Sequence, residues 1–279
     1  MLAGDDANPL AAAPGLARRE YFHPFPDCQL NFEMRVDAWL HRARAALKAS
    51  LTPLWPPQCV LCGRAGQLPD RDLCQGCEMD LPRNDLCCEL CAEPLQSDRD
   101  ELVCGACLRH PPRFDRCFAP YRYAYPLDHM VRALKYGSAV AHGRVLADVF
   151  VRSILSVERE AWPQCLLPVP LGRARFIKRG YNQALELAMH LARELAIPLH
   201  ADVLVRARDT REQAGLDRKA RRRNLRNAFA LARPLTSRHV AVIDDVVTTG
   251  STANEIARVL KRAGAERVEV WAIARAGRG

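Results

Sequence analysis

The chain has 279 residues, enough for two domains, and its 49% hydrophobic and 26% charged residues are ordinary for a soluble globular protein. No apolar stretch is long enough to be a transmembrane segment, and the first twenty residues lack the apolar core of a secretory signal, so we expect a cytoplasmic protein. The net charge of +9 is unevenly distributed, because residues 206–226 alone hold nine Lys or Arg and three acidic residues. This basic stretch favours an anionic partner, either a diphosphate or a nucleic acid.

The first 56 residues carry no signal for catalysis. Residues 1–30 are rich in Ala, Pro and Gly and predict a disordered tail. Residues 31–56 predict a basic amphipathic helix, with Val36, Trp39 and Leu40 on its apolar face. Such a helix can lie on a membrane, but no lipidation signal accompanies it, so packing against its own protein is the favoured interpretation.

Residues 57–110 are predicted to form a small zinc module. A Cys-x2-Cys pair places two sulfurs on one tight turn, at the separation that tetrahedral zinc requires, and two such turns complete a closed site of four thiolates. Few large apolar residues lie here, so metal is expected to replace a core. The sequence leaves open which pairs share an ion and whether Cys87 replaces Cys88. The candidate ligands are Cys59, Cys62, Cys74, Cys77, Cys88, Cys91, Cys104 and Cys107.

The three remaining cysteines of interest, Cys28, Cys117 and Cys165, lack this spacing and are expected to be buried small residues. Few aromatic or basic residues stand between the paired cysteines. A structural role for the zinc module is therefore favoured over reading of DNA.

Residues 113–279 show alternating strand and helix patterns. Alternation of this kind predicts a mostly parallel sheet with helices on both faces. The predicted strands cover residues 117–125, 165–169, 203–205, 228–231, 240–243 and 268–273. The predicted helices lie near residues 128–136, 142–158, 182–196 and 251–263.

The segment from Val240 to Thr252 carries the strongest functional signal. Its apolar strand ends in adjacent carboxylates, Asp244 and Asp245, and a hydroxyl-rich loop leads into a helix. A helix N-terminus favours a phosphate, and carboxylates suit ribose hydroxyls or a metal ion, so one sugar phosphate would satisfy both halves. The alternative is an ordinary loop with Ser251 as the helix cap.

This string resembles the phosphoribosyl-diphosphate (PRPP) motif of type I phosphoribosyltransferases. In that family the motif follows a parallel strand, at the end of the sheet where ligands bind. The resemblance implies that Asp244 and Asp245 hold the ribose hydroxyls and favour Mg2+. It also implies that the 5-phosphate is bound by the loop residues Thr248, Thr249, Gly250, Ser251 and Thr252.

A second loop, residues 168–183, is a candidate for binding the leaving diphosphate. Its cations include Arg173, Arg175, Lys178 and Arg179, although a solvated basic loop is the alternative. The strings Arg179-Gly180-Tyr181-Asn182-Gln183 and Leu134-Lys135-Tyr136 resemble segments of the competence protein F family. Members of that family join a cysteine-rich zinc segment to a type I phosphoribosyltransferase domain and are linked to natural transformation.

The family resemblance implies further site residues and partners. Diphosphate contacts would come from Arg173, Arg179, Gly180 and Lys135, and residues 208–224 would close over the substrate. Single-stranded DNA and the DNA-uptake machinery are implied partners. No base-binding segment is recognisable, so the acceptor is unassigned, and the sequence does not give the oligomeric state.

Two hypotheses follow from these features. In the first, the protein is a phosphoribosyltransferase that uses PRPP and Mg2+. In the second, it is a non-catalytic protein on the same scaffold that responds to PRPP or binds single-stranded DNA through its zinc module and the cluster Arg218–Arg226.

Overall fold

The computed structural model describes residues 57–67, 71–96, 102–136, 140–208, 225 and 227–277, without the side chains of Lys135, Tyr136, Val140 and Lys178. The predicted tail (1–30) and amphipathic helix (31–56) lie outside the described residues, as does residue 226 and the segment 209–224 of the basic stretch. The strands are β1 (Arg116–Phe118), β2 (Tyr121–Arg122), β3 (Cys165–Pro168), β4 (Leu204–Arg206), β5 (Phe229–Leu231), β6 (His239–Val247) and β7 (Arg267–Arg275). The helices are α1 (Gln75–Met79), α2 (Gly105–Arg109), α3 (Leu127–Tyr136), α4 (Val140–Leu155), α5 (Arg173–Arg179), α6 (Gln183–Leu195) and α7 (Ser251–Arg262).

Five strands form a parallel sheet in the order β1-β7-β6-β3, and β2 continues along β7 beyond β1. The register brings Ile243 of β6 beside Pro168 of β3 and beside Trp271 of β7. The carboxyl ends of β3 and β6 therefore meet at one edge of the sheet, where open α/β sheets bind their ligands.

Both faces of the sheet are covered. Val240 and Val242 of β6 point to one face, where Ile256 of α7 packs, while the alternate residues Ala241 and Ile243 point to the opposite face. That second face is covered by α3, α4 and α6. Parallel strands with two buried faces are apolar along their length, which is the pattern that the sequence showed. The predicted parallel sheet with helices on both faces is confirmed.

The zinc module lies along the free side of β1 and β2. The amide of Cys117 donates to the carbonyl of Leu90 (2.9 Å), and the amide of Asn84 donates to the carbonyl of Pro120 (2.9 Å). The amide of Arg122 donates to the carbonyl of Pro82 (2.8 Å). Residues 82–90 thus cover the edge of the sheet with backbone hydrogen bonds.

The structure differs from the sequence prediction in four places. β4 and β5 pair with each other in antiparallel orientation, outside the main sheet. A short apolar run does not specify its partner strand, which is why the sequence placed both in the parallel sheet. The predicted strand 117–125 is interrupted at Pro120, since proline cannot donate to a ladder. β6 continues beyond Ile243 to Val247, and the basic loop of residues 168–183 contains the helix α5.

Candidate functional site

Adjacent carboxylates lie in the carboxyl-terminal half of β6. Asp244 and Asp245 are partly buried, and each uses one carboxylate oxygen to accept the amide of the following residue at 2.9 Å. These local hydrogen bonds hold both side chains at the strand end. Carboxylate oxygens can bind sugar hydroxyls or a hard divalent cation.

The hydroxyl-rich loop begins after Val247 and turns into α7 at Gly250. Gly250 has a φ of +72°, in the left-handed region that favours glycine, and it offers no side-chain hydrogen bond to the first turn of α7. The hydroxyls of Thr249 and Ser251 lie 2.8 Å apart, and the amide of Ser251 donates to Thr249 Oγ1 (3.3 Å). The helix is therefore capped by glycine and not by Ser251, and its N-terminus meets the loop with hydroxyls and amides that suit a phosphate.

Asn182 holds the basic loop of residues 168–183 against the carboxyl end of β3. Asn182 Nδ2 donates to the carbonyl of Val169 (3.0 Å), while its Oδ1 caps α6 by accepting the amide of Ala184 (3.1 Å). The amide of Val169 donates to the carbonyl of Ile243 (2.9 Å), so the basic loop starts beside the strand that carries the two aspartates.

The cations of this loop belong to a short helix. Arg173 begins α5 and Arg179 ends it, and Gly180 follows with a φ of +79°. Arg179 Nη1 donates to Gln183 Oε1 (3.0 Å). The Tyr181 hydroxyl donates to the carbonyl of Leu134, the residue that precedes Lys135. The backbone of Lys135 is thereby brought to this loop, while its side chain lies outside the described residues.

The residues that follow the basic stretch contact the helix of the phosphate loop. β4 and β5 flank the stretch, and beyond it the Asn227 amide donates to Glu255 Oε1 of α7 (2.7 Å). Burial raises the pKa of Glu255, but hydrogen bonds from Arg258 and from the Asn227 amide lower it more, so the net pKa lies below its usual value. An ionised Glu255 fixes this end of the stretch to the helix that begins at the phosphate loop.

The eight paired cysteines form two clusters, and in each cluster all four Sγ atoms lie within 4.8 Å of one another. Sulfurs about 2.3 Å from a tetrahedral zinc lie about 3.8 Å apart. The Sγ atoms of Cys62 and Cys74 are 3.7 Å apart, as are those of Cys91 and Cys104. The residues therefore fit zinc. The first cluster is Cys59, Cys62, Cys74 and Cys77, and the second is Cys88, Cys91, Cys104 and Cys107.

The two clusters lie on opposite faces of the sheet. Cys59 packs in the core of α3 and α4, whereas the second cluster packs in the core of α7. Cys87 belongs to neither cluster, and Cys117 and Cys165 are buried, where desolvation raises the pKa of each thiol.

Sequence reasoning missed Arg275. It ends β7, is 1% exposed, and donates from Nη1 to the carbonyl oxygens of Val247 (3.0 Å) and Thr248. Its charge pairs with Glu93 of the zinc module. Nothing in the local pattern distinguished this arginine from a surface cation near the end of a strand.

Comparisons with known proteins agree with both parts of this arrangement. A family described as "Double zinc ribbon domain" matches residues 50–108, which with the two clusters confirms structural zinc. A family described as "Phosphoribosyl transferase domain" matches residues 182–279. The chain is 35% identical over 225 residues to "Competence protein F" of Haemophilus influenzae, covering 78% of this chain and 97% of that protein. The chain belongs to the competence protein F family.

Two further relatives match this chain over different lengths. "DNA utilization protein YhgH" of Escherichia coli K12 is 34% identical over 223 residues, or 79% of this chain and 97% of that protein. "Competence protein ComFC" of Streptococcus pneumoniae is 29% identical over 132 residues, or 47% of this chain and 57% of that protein.

Solved structures that resemble this member of the family include two proteins of low sequence identity. The glutamine PRPP amidotransferase of B. subtilis has a TM-score of 0.33 at 17% identity and covers 50% of this chain and 30% of that chain. A purine phosphoribosyltransferase of Pyrococcus horikoshii has a TM-score of 0.25 at 16% identity, covering 53% and 83%. Both TM-scores are low, so the phosphoribosyltransferase fold is assigned from the strand order and the family match. Among the helices of the described ranges, none has both the length and the apolar character that a membrane crossing requires.

Proposed function

We propose that this protein binds PRPP with Mg2+ at the carboxyl ends of β3 and β6 and transfers its phosphoribosyl group. One observation carries the proposal: the carboxylates of Asp244 and Asp245 and the glycine-capped start of α7 follow one another at the strand end that the second basic loop also reaches. Phosphate, ribose and diphosphate each find groups of suitable chemistry within this edge of the sheet.

Each part of the site has a proposed role. Thr248, Thr249, Gly250, Ser251 and Thr252 bind the 5-phosphate through amides and hydroxyls, and Asp244 and Asp245 orient the ribose. Arg173, Arg179, Gly180 and Lys135 hold the diphosphate as it leaves. Mg2+, held by the two aspartates together with the substrate, would neutralise diphosphate charge when bound.

The basic stretch would close over the bound substrate. Asn227, just beyond the basic stretch, is hydrogen-bonded to Glu255 of α7, the helix that begins at the phosphate loop, and this contact supports a closing role for residues 208–224. Closure would exclude water from the reactive sugar.

The same proposal divides the chain into a zinc-ribbon module (57–110), which contributes metal-dependent stability, and a phosphoribosyltransferase-like domain (113–279), which carries the site. We place the protein in the cytoplasm because two closed thiolate sites require reduced cysteines. Its relatives are named for competence and DNA utilization, so we infer that the reaction serves the handling of incoming DNA.

The central test compares PRPP affinity, by titration calorimetry with Mg2+, between the wild type and Asp244→Asn/Asp245→Asn. Hydrogen bonds to charged groups contribute about 1.5–3 kcal/mol each, so the double variant should bind at least about ten-fold more weakly. Asp80→Asn/Asp202→Asn is the matched control, since it removes two exposed carboxylates outside the site. Equal affinity in all three proteins would rule out the proposed site.

Turnover requires a second measurement, which follows diphosphate release against a panel of nucleobases, amines and DNA ends. Release that depends on one acceptor would establish the transferase. PRPP binding without release under any acceptor would favour the second candidate function.

That second candidate is a non-catalytic protein that binds single-stranded DNA and responds to PRPP. The charge of residues 206–226 favours it, because a net +6 within 21 residues can neutralise several phosphates. DNA affinity measured at two salt concentrations, with and without PRPP, tests the idea. Each phosphate contact should contribute a log–log slope of about −0.7. A salt-independent affinity would exclude this surface.

A further inference from the structure

Arg275 reaches from the zinc module to the phosphate loop. On one side, Nε donates to the carbonyl of Cys91 (3.0 Å) and Nη2 donates to the Glu93 carboxylate. On the other side, Nη1 donates to the carbonyls of Val247 (3.0 Å) and Thr248. A buried guanidinium is tolerated only when its donors are satisfied, so these hydrogen bonds fix both sides relative to each other.

A small cavity of about 30 Å3 separates the same two regions. Cys91 and Cys107 of the second cluster line one side, and Thr249 and Gly250 of the phosphate loop line the other. The cluster and the phosphate loop therefore face each other across this cavity.

The linker that follows the second cluster also contacts α7. The amide of Arg113 donates to Asn254 Oδ1 in the first turn of α7 (2.7 Å), and Phe114 lies next to Gly250. The first cluster differs in this respect, because it packs with α4 on the opposite face of the sheet. Within the described residues, one cysteine cluster is thus linked to the phosphate loop through Arg275 and a shared cavity, and the other, on the opposite face of the sheet, is a natural control.

We propose that the second zinc cluster and the 5-phosphate loop are thermodynamically coupled sites, with Arg275 as the positioning residue that couples them. This inference rests on the proposed function, since it assumes that the loop binds phosphate. The thiolates of Cys88, Cys91, Cys104 and Cys107 fix the Cys91 carbonyl. Arg275 then fixes the carbonyls of Val247 and Thr248, and with them the amides and hydroxyls that follow.

Coupling of two binding sites is reciprocal. Metal in the second cluster should raise affinity for a sugar phosphate, and a sugar phosphate should retain metal in the second cluster. The first cluster should show neither effect, because none of the hydrogen bonds of Arg275 reaches it within the described residues.

The test measures zinc release from the full-length protein to a chromogenic chelator, with and without saturating ribose 5-phosphate. Ribose 5-phosphate is the probe because the diphosphate of PRPP would itself compete for zinc. We expect release of one zinc ion to slow by about five-fold or more, the lower end of typical coupling, while release of the other is unchanged. Cys62→Ser, in the partly exposed first cluster, identifies which phase belongs to which cluster.

Glu93→Gln separates coupling from general stability. It removes the ion pair, which is the charged one of the two contacts that Arg275 makes on the zinc side, and leaves the carbonyl contacts of Cys91, Val247 and Thr248 in place. The slowing by ribose 5-phosphate should then fall below about two-fold while the second zinc is still bound. A merely structural role for Glu93 would speed release with and without ligand and leave their ratio unchanged, which would remove Arg275 from the explanation.

Calorimetry that measures binding of ribose 5-phosphate and PRPP to the wild-type protein separates failure of the coupling from failure of the proposed function. If ribose 5-phosphate binds but slows neither zinc ion, or slows both equally, the coupling is refuted while the proposed function stands. Equal slowing of both would indicate only that a ligand stabilises the folded state. If neither ribose 5-phosphate nor PRPP binds, both proposals fail. Should Glu93→Gln not fold, the wild-type ratio between the two phases decides the question.

Discussion

Replacing Gly250 with alanine tests the phosphate loop at its left-handed residue. Gly250 has a φ of +72°, and an added Cβ would meet nothing closer than the Phe114 ring at 4.0 Å, so the penalty is conformational and not steric. An L-residue in the left-handed region costs about 1–2 kcal/mol. Reduced freedom of the unfolded chain offsets about 0.4–1 kcal/mol of it, leaving a net cost near 1 kcal/mol. For a protein of this size the Tm should fall by about 2–4 °C.

PRPP affinity should fall by more than the stability alone implies. Alanine relieves its strain by turning φ negative, and this rotation moves the first amides of α7 away from the phosphate. We expect affinity to drop by about ten-fold, equivalent to about 1.4 kcal/mol, in calorimetry with Mg2+.

Gly264 provides the matched control. It follows α7, has a φ of +99°, and a Cβ there would meet nothing within 4 Å. Gly264→Ala should lower the Tm as much as Gly250→Ala and leave PRPP affinity unchanged. The reasoning is refuted if Gly250→Ala loses stability but keeps full affinity, or if Gly264→Ala weakens binding equally.

Further predictions concern residues that stabilise the fold. Asn182→Ala should lower the free energy of unfolding by about 2 kcal/mol, because it removes both the α6 cap and the hydrogen bond to Val169. Asn182→Asp keeps the cap, so it should lower the free energy of unfolding by about half as much. Equal losses for the two variants in urea denaturation would contradict this reasoning. Burial raises the pKa of Glu269. The hydrogen bond from Trp271 and the charges of Arg159 and His239 lower the pKa by more than burial raises it, so the net pKa is below the unfolded value. Its stabilisation is therefore complete above about pH 4.3 and is lost as the pH falls below it. Glu269→Gln, which leaves Arg159 buried without its ion pair, should cost about 3–5 kcal/mol at pH 7 and flatten the acid side of the stability curve; an unchanged acid slope would show that another group titrates there.

Local patterns sufficed for the elements that carry the candidate site. Asn182 is a typical N-cap residue and predicts the start of α6, and the apolar run before Asp244 predicts β6. Both signals depend only on residues that are close in sequence. The spacing of the cysteines likewise predicts closed zinc sites, because two residues of separation already fix two ligands.

Long-range partners could not be predicted in the same way. β4 and β5 are short apolar runs whose pairing depends on the path of the intervening stretch. The helix from Arg173 to Arg179 has no apolar period strong enough to be recognised among its cations. The role of Arg275 depends on Cys91 and Glu93, more than 180 residues earlier in the chain, and no local pattern reports a contact of that range.

Residues 82–90, the segment that joins the two cysteine clusters, cover an edge of the sheet that could otherwise pair with another molecule. Within the described residues this segment covers one edge of the sheet. At the other edge, the Leu166 amide donates to the carbonyl of Pro198 (2.8 Å), and the Leu166 carbonyl accepts the amide of His200 (3.0 Å). An open rim recruits strands from neighbouring molecules and starts aggregation. Loss of zinc is expected to loosen this segment and expose the edge of β1, so the zinc-free protein should aggregate more readily than the zinc-bound protein.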